Sequence, residues 1–184
     1  MLRQQSIVNS PSLNGGKSNA LQHISAAVLS ELRDIVSEPY LLTDETALHN
    51  HGHDETEDLV CLPQAVVEPS DTGQVSRIMQ ICSRERIPVT VRGGGSGLAG
   101  GALPNHGGLV MSMKRFDQIL KIDAQNFQVT VEPGVITETL QNTLKEIGLF
   151  YPPDPSSRGW SFIGGNVSTN AGGPKAVKYG VVKD

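Results

Sequence analysis

The residues best suited to bind a ligand are a run of glycines that directly follows a short β-branched segment. Residues 89–91 are typical of a buried strand, and six glycines come next: Gly93, Gly94, Gly95, Gly97, Gly100 and Gly101. Glycine costs conformational entropy on folding, so this density indicates φ > 0 geometry or close approach of the backbone to a ligand. Successive N–H groups that turn inward in such a loop form an anion-binding nest. Because the run is joined to a strand and carries Leu98 and Leu103, a ligand-binding loop is favoured over a flexible linker.

A second glycine-rich region follows further along the chain. It carries Gly164, Gly165, Gly172 and Gly173, so that ten of the 20 glycines fall in two short stretches that need a common explanation. Between these glycines lie small hydrogen-bonding residues: Asn166, Ser168, Thr169 and Asn170. Such residues suit a wall against a polar, ring-containing ligand. A cluster of ordinary Asx and Ser/Thr turns is the alternative interpretation.

The segment GSGLAG at 95–100 matches the G-x-G-x-x-G pattern of Rossmann dinucleotide sites. A Rossmann site needs a helix directly after the loop, and Gly100, Gly101, Pro104, Gly107 and Gly108 fall where that helix would run. The Walker pattern also fails, because no Lys-Ser or Lys-Thr follows the last glycine. The residues therefore predict a pyrophosphate cradle made by the loop itself, with a Rossmann NAD domain as the weaker alternative.

Composition and charge narrow the class of protein. The 184 residues are 38% hydrophobic, which is enough for a globular core, and the net charge of −4 argues against nucleic-acid binding. Cys61 and Cys82 do not form a C-x-x-C pair, and a reducing compartment fits best. No apolar run approaches the roughly 20 residues that span a membrane. A cytoplasmic location is expected; the acid-free first 30 residues leave mitochondrial targeting open, and peripheral membrane association also stays open.

Three histidines at alternate positions, His49, His51 and His53, precede Asp54 and could in principle ligate zinc or copper. No second ligand cluster exists elsewhere in the sequence, and Gly52 with its polar neighbours favours a solvated loop. No metal site is therefore predicted. His106 is interpreted as a surface residue, and no residue of the chain is assigned as a general base.

The glycine loop is expected to follow the second strand of a βαβ unit. A helix from Ile24 with an apolar repeat is predicted to end at Pro39, a strand at 65–67 is closed by Pro69, and strands 65–67 and 89–91 are expected to be parallel. The helix between these strands is expected to be capped by Ser70 or Thr72, with an apolar stripe made of Val75, Ile78, Met79 and Cys82. The loop then lies at the edge where open α/β sheets bind ligands.

The second half of the chain predicts a hairpin and a helix. After a strand at 108–113, runs at 119–122 and 128–131 flank the turn-prone segment 123–126. Thr137 is expected to cap a helix that ends at the C′ glycine Gly148 and that carries an apolar repeat, namely Ile136, Leu140, Leu144 and Ile147.

Three ordered motifs, PVTVRGGGSGLAGG, YPPDPSS and IGGNVSTNAGG followed by KYG, resemble the FAD-binding domain of the p-cresol methylhydroxylase and vanillyl-alcohol oxidase superfamily. The resemblance runs from about Leu32 to Asp184, includes HDETEDLVCLPQAVVEPS, and is strongest to the FAD subunit of glycolate oxidase and the D-lactate dehydrogenases. It implies an α+β fold in which a small parallel βαβ subdomain accompanies a mixed or antiparallel sheet subdomain.

The resemblance also implies which residues bind FAD. Backbone amides from Arg92 through Gly97 would hold the pyrophosphate, and the tail motifs would lie along the cofactor and line its ribityl and ring region. The implied set is Arg92, Gly93, Gly94, Gly95, Ser96, Gly97, Pro153, Asp154, Ser156, Gly164, Gly165, Asn166, Ser168, Thr169, Asn170, Ala171, Gly172, Gly173, Tyr179 and Gly180. The berberine-bridge branch has a flavin-tethering histidine in this loop, where this chain has Ser96, so non-covalent FAD is expected.

The implied chemistry is oxidation of a small D-2-hydroxy acid such as glycolate or D-lactate to the 2-oxo acid, with electrons passing to an iron–sulfur or quinone acceptor. The expected organisation is a disordered tail at 1–23, a helix and lead-in loop at 24–58, and the N-terminal part of the FAD-binding domain at 59–184. The family's substrate domain, which supplies the catalytic residues, has no counterpart here, so a truncated chain is expected. A non-catalytic or non-functional flavin-binding fragment is the alternative.

Overall fold

The structure is a computed structural model that describes residues 23–183. The chain divides into two compact units, Met1–Ser112 and Met113–Asp184, here called the N-terminal and the C-terminal unit. The tail predicted at 1–23 lies outside the described residues except for its last residue. In the described part of the chain, no helix has the length and apolar content that a membrane span requires.

Within residues 23–112, the described part of the N-terminal unit, the chain forms one four-stranded sheet and three α-helices. Its elements are α1 (Ala26–Val36), a 3-10 helix (Glu38–Tyr40), β1 (Leu41–Leu42), α2 (Glu45–Asn50), β2 (Ala65–Val67), α3 (Thr72–Glu85), β3 (Val89–Arg92) and β4 (Leu109–Ser112). The strand order is β1-β2-β4-β3. Strands β2 and β3 both run parallel to β4, which confirms the predicted parallel direction and places β4 between them. β1 pairs antiparallel with β2 at the edge.

The core of this unit lies around the two central strands. All residues of β2 and β4 are buried, as expected for strands of a parallel sheet that is covered on both faces. Helix α1 adds Val28, Leu32 and Val36 to the core, and its N-cap Ser25 accepts a hydrogen bond from the Val28 N–H. The predicted first helix is thus confirmed, with its end just before Pro39.

Helix α3 corrects two predictions. Its N-cap is Asp71, whose Oδ1 accepts a 2.8 Å hydrogen bond from the Gln74 N–H, rather than Ser70 or Thr72. Aspartate satisfies the same orphan N–H groups as serine or threonine, so three neighbouring candidates could not be ranked from sequence. The buried stripe is Ile78, Ile81 and Cys82, whereas Met79 is 43% exposed, because the face that packs against the core is turned toward Ile81 and away from Met79.

The C-terminal unit contains the predicted hairpin and three helices. Its elements are β5 (Ile119–Asp123), β6 (Gln128–Val131), α4 (Thr137–Glu146), α5 (Ile163–Ser168) and α6 (Ala176–Tyr179). β5 and β6 pair antiparallel, and Asp123 closes the turn by accepting hydrogen bonds from Asn126. A small core of Val135, Leu140, Leu144 and Ile163 packs against the apolar side chains of the hairpin.

Helix α4 differs from its prediction at both ends. The N-cap is Ile136, with no side-chain capping bond, and Thr137 is instead a fully buried first-turn residue. Ile147 is 50% exposed because the helix has ended before it, although Gly148 has the predicted positive φ of 75°. Residues 164–166, which the resemblance assigns to the surroundings of FAD, lie within α5. Among residues 180–183, no strand follows α6.

Candidate functional site

The glycine loop leaves β3 at Arg92, at the carboxyl-terminal edge of the parallel strands. Residues 93–108, all of them described, contain no helix and lead directly into β4 at Leu109. The weaker alternative, a Rossmann site, is therefore wrong, because the helix that would face a pyrophosphate in that fold is missing after the loop. Any anion bound here would contact the loop itself.

The Arg92 side chain folds back beneath the loop that it begins. Arg92 is only 8% exposed, and Gly95 has a φ of +71°. A Cβ atom at Gly95 would collide with the Arg92 guanidinium group. The left-handed backbone therefore favours glycine at this position, and any side chain there would also force the Arg92 guanidinium to move.

The backbone donors of the loop are available for a ligand. In the described part of the chain, none of the N–H groups of residues 93–99 donates a hydrogen bond to another protein atom, and Gly95 is buried. More than nine in ten buried backbone N–H groups in proteins have a partner, so the N–H of the buried Gly95 is an unusual donor that a ligand can use. An anionic group with several acceptor oxygens, such as a pyrophosphate, fits this donor set.

The segment that follows α2 supports the loop from outside. The Glu55 N–H donates to the Gly97 carbonyl at 3.0 Å, and the Gly100 N–H donates to Thr56 Oγ1 at 2.7 Å. Asp54 Oδ1 accepts from the Thr56 N–H at 2.9 Å, which is an Asx turn. The contacts of residues 54–56 with the glycine loop were not predicted from the sequence. The Asp-x-Thr pattern predicts the Asx turn, but it does not predict which segment the turn contacts.

Asp54 and Arg92 are two buried side chains of opposite charge near the loop, and no hydrogen bond or ion pair joins them in the described part of the chain. Burial lowers the pKa of Arg92 from its ordinary value, and the charge of Asp54 partly opposes that shift. Among the described residues, Asp54 Oδ2 and Arg92 Nη1 are buried and have no hydrogen-bond partner. Arg92 Nη2 makes one long contact of 3.5 Å, to the Asn50 carbonyl.

The solvated loop predicted around the histidines is wrong. His49 belongs to α2, and Gly52 and Asp54 are buried, because this segment packs against the glycine loop and the strands. His51 and His53 bond locally, through Nδ1, to carbonyls one helical turn earlier. The described residues contain no group of three or more His, Cys, Asp or Glu side chains that could hold a metal ion.

In the C-terminal unit, the predicted residues of the YPPDPSS motif at 151–157 are Pro153, Asp154 and Ser156, and Asp154 is hydrogen-bonded to the glycine-rich tail. The Asp154 N–H donates to the Gly172 carbonyl at 2.9 Å, and Gln141 Nε2 donates to the Pro153 carbonyl at 2.8 Å. Lys175 Nζ lies 3.0 Å from Asp154 Oδ2, and this hydrogen bond is the main cause that lowers the pKa of Asp154. Ser156 is exposed.

Gly173 packs closely against the backbone of Asp154. Its φ is +126°, and a Cβ atom there would collide with the Asp154 carbonyl. Gly164 is packed similarly, since its Cβ would lie 2.7 Å from Pro133 Cβ, whereas a Cβ at Gly165 would meet nothing within 4 Å. Packing therefore leaves no room for a side chain at Gly164 and Gly173, whereas it leaves room for one at Gly165.

Several predicted polar residues of the tail are engaged within the protein. Asn166 is 4% exposed, and its Nδ2 donates to Thr137 Oγ1 at 2.6 Å. Thr137 Oγ1 in turn contacts Ser161 Oγ at 2.9 Å, so a buried network joins the first turns of α4 and α5. Ser168 and Thr169 donate their hydroxyls to carbonyls one turn earlier in α5.

The remaining predicted residues lie at the end of α5 and in the segment that follows it. Asn170 has a φ of +50° and accepts from the Lys183 N–H, and Ala171 donates its N–H to the Asn166 carbonyl. Tyr179 is 44% exposed and packs edge-to-face on Phe150 with ring centroids 5.3 Å apart. Gly180, with a φ of +78°, ends α6. Each unit therefore has its own group of predicted residues.

Both groups of predicted residues, in the glycine loop and in the tail, lie within the range of one family match. Residues 63–184 match the family model described as FAD binding domain. The chain belongs to this FAD binding domain family. The matched range begins just before β2 and includes the glycine loop and the whole tail. FAD carries the pyrophosphate that the donors of the loop fit, so the FAD-binding assignment and the loop geometry agree.

Curated relatives of this chain are much longer than the chain itself. It is 47% identical over 134 residues to the glycolate oxidase subunit GlcD of Bacillus subtilis, with 73% of this chain and 28% of the relative covered. It is 34% identical over 166 residues to D-lactate dehydrogenase of Anaerostipes hadrus, covering 88% of this chain and 34% of the relative. The chain therefore spans about a third of the length of these relatives.

Solved structures share the fold. An alkyldihydroxyacetonephosphate synthase superposes over 100% of this chain and 34% of its own, with a TM-score of 0.78 and 22% identity. p-Cresol methylhydroxylase with bound substrate superposes over 78% of this chain and 29% of its own, with a TM-score of 0.69 and 22% identity. The expected p-cresol methylhydroxylase type of α+β fold is confirmed.

Proposed function

We propose that this chain binds FAD without a covalent bond and supplies the FAD-binding part of an enzyme that oxidises a small D-2-hydroxy acid to the 2-oxo acid. The observation that carries the proposal is the row of backbone N–H groups at residues 93–99 that lack a protein acceptor. Similarity to a glycolate oxidase subunit and to a D-lactate dehydrogenase supports the substrate class.

The chain's own contribution is to bind and orient the cofactor. The N–H groups of residues 93–97 would donate to the pyrophosphate oxygens, and the positive charge of Arg92 would favour that negative group. In the C-terminal unit, the predicted residues at 153–156, 164–173, 179 and 180 would supply a further part of the cofactor's surroundings. FAD, once bound, provides the flavin that accepts a hydride from C2 of the hydroxy acid. We assign no general base to the described residues.

Ser96 supports non-covalent attachment. It lies in the loop where the berberine-bridge branch has a histidine, and a hydroxyl does not form the stable flavin bond that an imidazole forms. We expect acid precipitation of the purified protein to release intact FAD into the supernatant. Flavin that stays with the precipitated protein would contradict this part of the proposal.

Cofactor and substrate can be tested separately. Equilibrium binding of FAD, followed by flavin fluorescence, tests the cofactor with the chain alone. Reduction of an electron-accepting dye by the full-length protein, with glycolate, D-lactate, L-lactate and D-2-hydroxyglutarate in parallel, tests the substrate. We expect turnover with at least one D-acid or glycolate and little with L-lactate.

The electron acceptor follows from the same assay. We propose an iron–sulfur protein or a quinone, and a soluble quinone added in place of the dye should sustain turnover if quinone is the acceptor. If the chain binds FAD but no hydroxy acid is oxidised, it is a flavin-binding fragment without its own catalysis. That is the alternative function.

A further inference from the structure

The Thr56 hydroxyl contacts the far end of the glycine loop. We propose that Thr56 is a positioning residue: its Oγ1 accepts the Gly100 N–H and thereby holds the loop in the conformation in which its other N–H groups bind the diphosphate of FAD. This inference rests on the proposed function, because it concerns how the same loop binds its cofactor.

Few contacts fix the loop beyond β3. Its first residue follows Arg92, which pairs with Ser112 in the sheet. Residues 93–99 form no helix or strand, and their N–H groups donate to no protein atom in the described part of the chain. Among the described residues, two hydrogen bonds join residues 93–100 to protein outside 93–108, and both come from the segment after α2. Hydrogen bonding of the loop to the rest of its unit therefore depends on that segment.

The two hydrogen bonds differ in which part of the residue makes them. The Glu55 N–H donates to the Gly97 carbonyl at 3.0 Å, so this bond does not depend on the side chain at position 55. Thr56 Oγ1 accepts the Gly100 N–H at 2.7 Å, so this bond needs a hydroxyl at position 56. A substitution at Thr56 can therefore remove one contact of the loop and leave the main-chain contact in place.

Thr56 is held where its hydroxyl reaches the loop. Its N–H donates to Asp54 Oδ1 at 2.9 Å, and Asp54 is buried. On the loop side, Gly100 has a φ of +70°, and its carbonyl accepts the N–H of the buried Leu103 at 3.1 Å. The bond between Thr56 and Gly100 thus joins two segments that each have contacts of their own. Such a bond restricts the chain that lies between Gly100 and β3, and this chain carries the free donors.

Loss of the Thr56 oxygen has two effects of opposite sign. The Gly100 N–H becomes a further free donor at the end of the row, which by itself strengthens anion binding. The donors at 93–99 also lose a restraint, so that binding a diphosphate must order them at a cost in entropy. If Thr56 positions the loop, the second effect is the larger one. The sign of the change in affinity therefore distinguishes positioning from mere occupation of a donor.

The test compares the dissociation constants of the chain for FAD and for ADP, which shares the diphosphate but lacks the flavin. We expect Thr56→Val, which replaces the hydroxyl by a methyl group, to raise both constants by about five- to tenfold, as for the loss of one hydrogen bond. Thr56→Ser keeps the oxygen and should restore both constants to within about twofold of the wild type. Thr72→Val makes the same replacement at an exposed threonine of the same unit and should change neither constant.

Unfolding midpoints of the same variants separate positioning from stability. A merely structural role would lower the midpoint of Thr56→Val and leave both constants of the folded protein unchanged, which would overturn the inference. Equal loss of affinity in Thr56→Val and Thr56→Ser would overturn it as well, because the hydroxyl would then not be the group that matters.

Hydrogen exchange of the wild-type amides keeps the inference testable if Thr56→Val does not fold. We expect the Gly100 amide to exchange slowly, whereas the amides of residues 96–99 exchange fast and become protected when ADP is added. A Gly100 amide that exchanges as fast as these would contradict the inference. If the wild type binds both ligands and Thr56→Val binds them equally well or more tightly, the inference alone fails. If the wild type binds neither FAD nor ADP, the proposed function fails and the inference with it.

Discussion

The two glycine-rich regions of this chain have similar sequences and different structures. In the loop at 93–101, the glycines leave a row of backbone N–H groups without protein partners above a buried arginine. In the tail at 162–180, glycines take part in a helix or pack against carbonyl groups, and most of the polar side chains hydrogen-bond within the unit. Glycine density therefore indicates an exposed backbone only where no secondary structure uses that backbone.

The largest expected effect is at Gly95. Gly95→Val introduces a Cβ that collides with the Arg92 guanidinium at a backbone conformation that β-branched residues avoid, and we expect FAD affinity to fall at least about a hundredfold. Gly101→Ala is the matched control, because its Cβ meets nothing within 4 Å. Equal FAD binding by the two variants in a fluorescence titration would show that the loop does not bind the cofactor.

In the tail, the largest effect should be on stability. Asn166→Ala removes the buried donor to Thr137 Oγ1, and we expect the free energy of unfolding to fall by about 1–3 kcal/mol. Asn142→Ala, at an exposed asparagine of the same unit, should change it by less than about 0.5 kcal/mol. Urea unfolding measures both, and similar values for the two variants would argue against the buried network.

Gly165 separates the structural role of the tail from its role in binding. Its Cβ has open space inside α5, so Gly165→Ala should raise the free energy of unfolding by about 0.5–1 kcal/mol. If this helix faces the flavin, the same variant should lower the affinity for FAD severalfold and leave the affinity for ADP unchanged. Unchanged FAD affinity would assign the tail a purely structural role.

The smallest effect is the pH dependence that Asp154 gives to the C-terminal unit. Its pKa is lowered by the hydrogen bond from Lys175, so the folded form binds its proton less readily than the unfolded chain, whose value is about 3.9. The stabilisation is therefore present above about pH 4 and lost as the pH falls through the lower folded pKa. Asp154→Asn should reduce the change of the unfolding midpoint with pH over this acid range. Glu146→Gln, at an exposed carboxylate, should leave that pH dependence unchanged.

Local patterns predicted much of the fold because the signals lie within a few residues of each other. The β-branched runs at 65–67 and 89–91, the hairpin turn at 123–126 and the C′ glycine at 148 each depend on adjacent residues, and all were found where expected. The expected burial of the run at 89–91 is wrong, since Val91 is 57% exposed. The errors at Asp71, Met79 and Thr137 arose where neighbouring residues of similar chemistry competed. Packing then chose the helical face and the cap.

The sequence by itself determined that a glycine-rich loop follows β3 and that no Rossmann helix comes after it, because glycine and proline act on the residues beside them. Only the tertiary structure decided what lies beneath that loop. Thr56 reaches Gly100 across 44 residues and Asn50 reaches Arg92 across 42, and no local pattern encodes a pairing over such distances. The burial of Asp54 and of Arg92, like the buried hydrogen bond between Asn166 and Thr137, is a property of the packed chain.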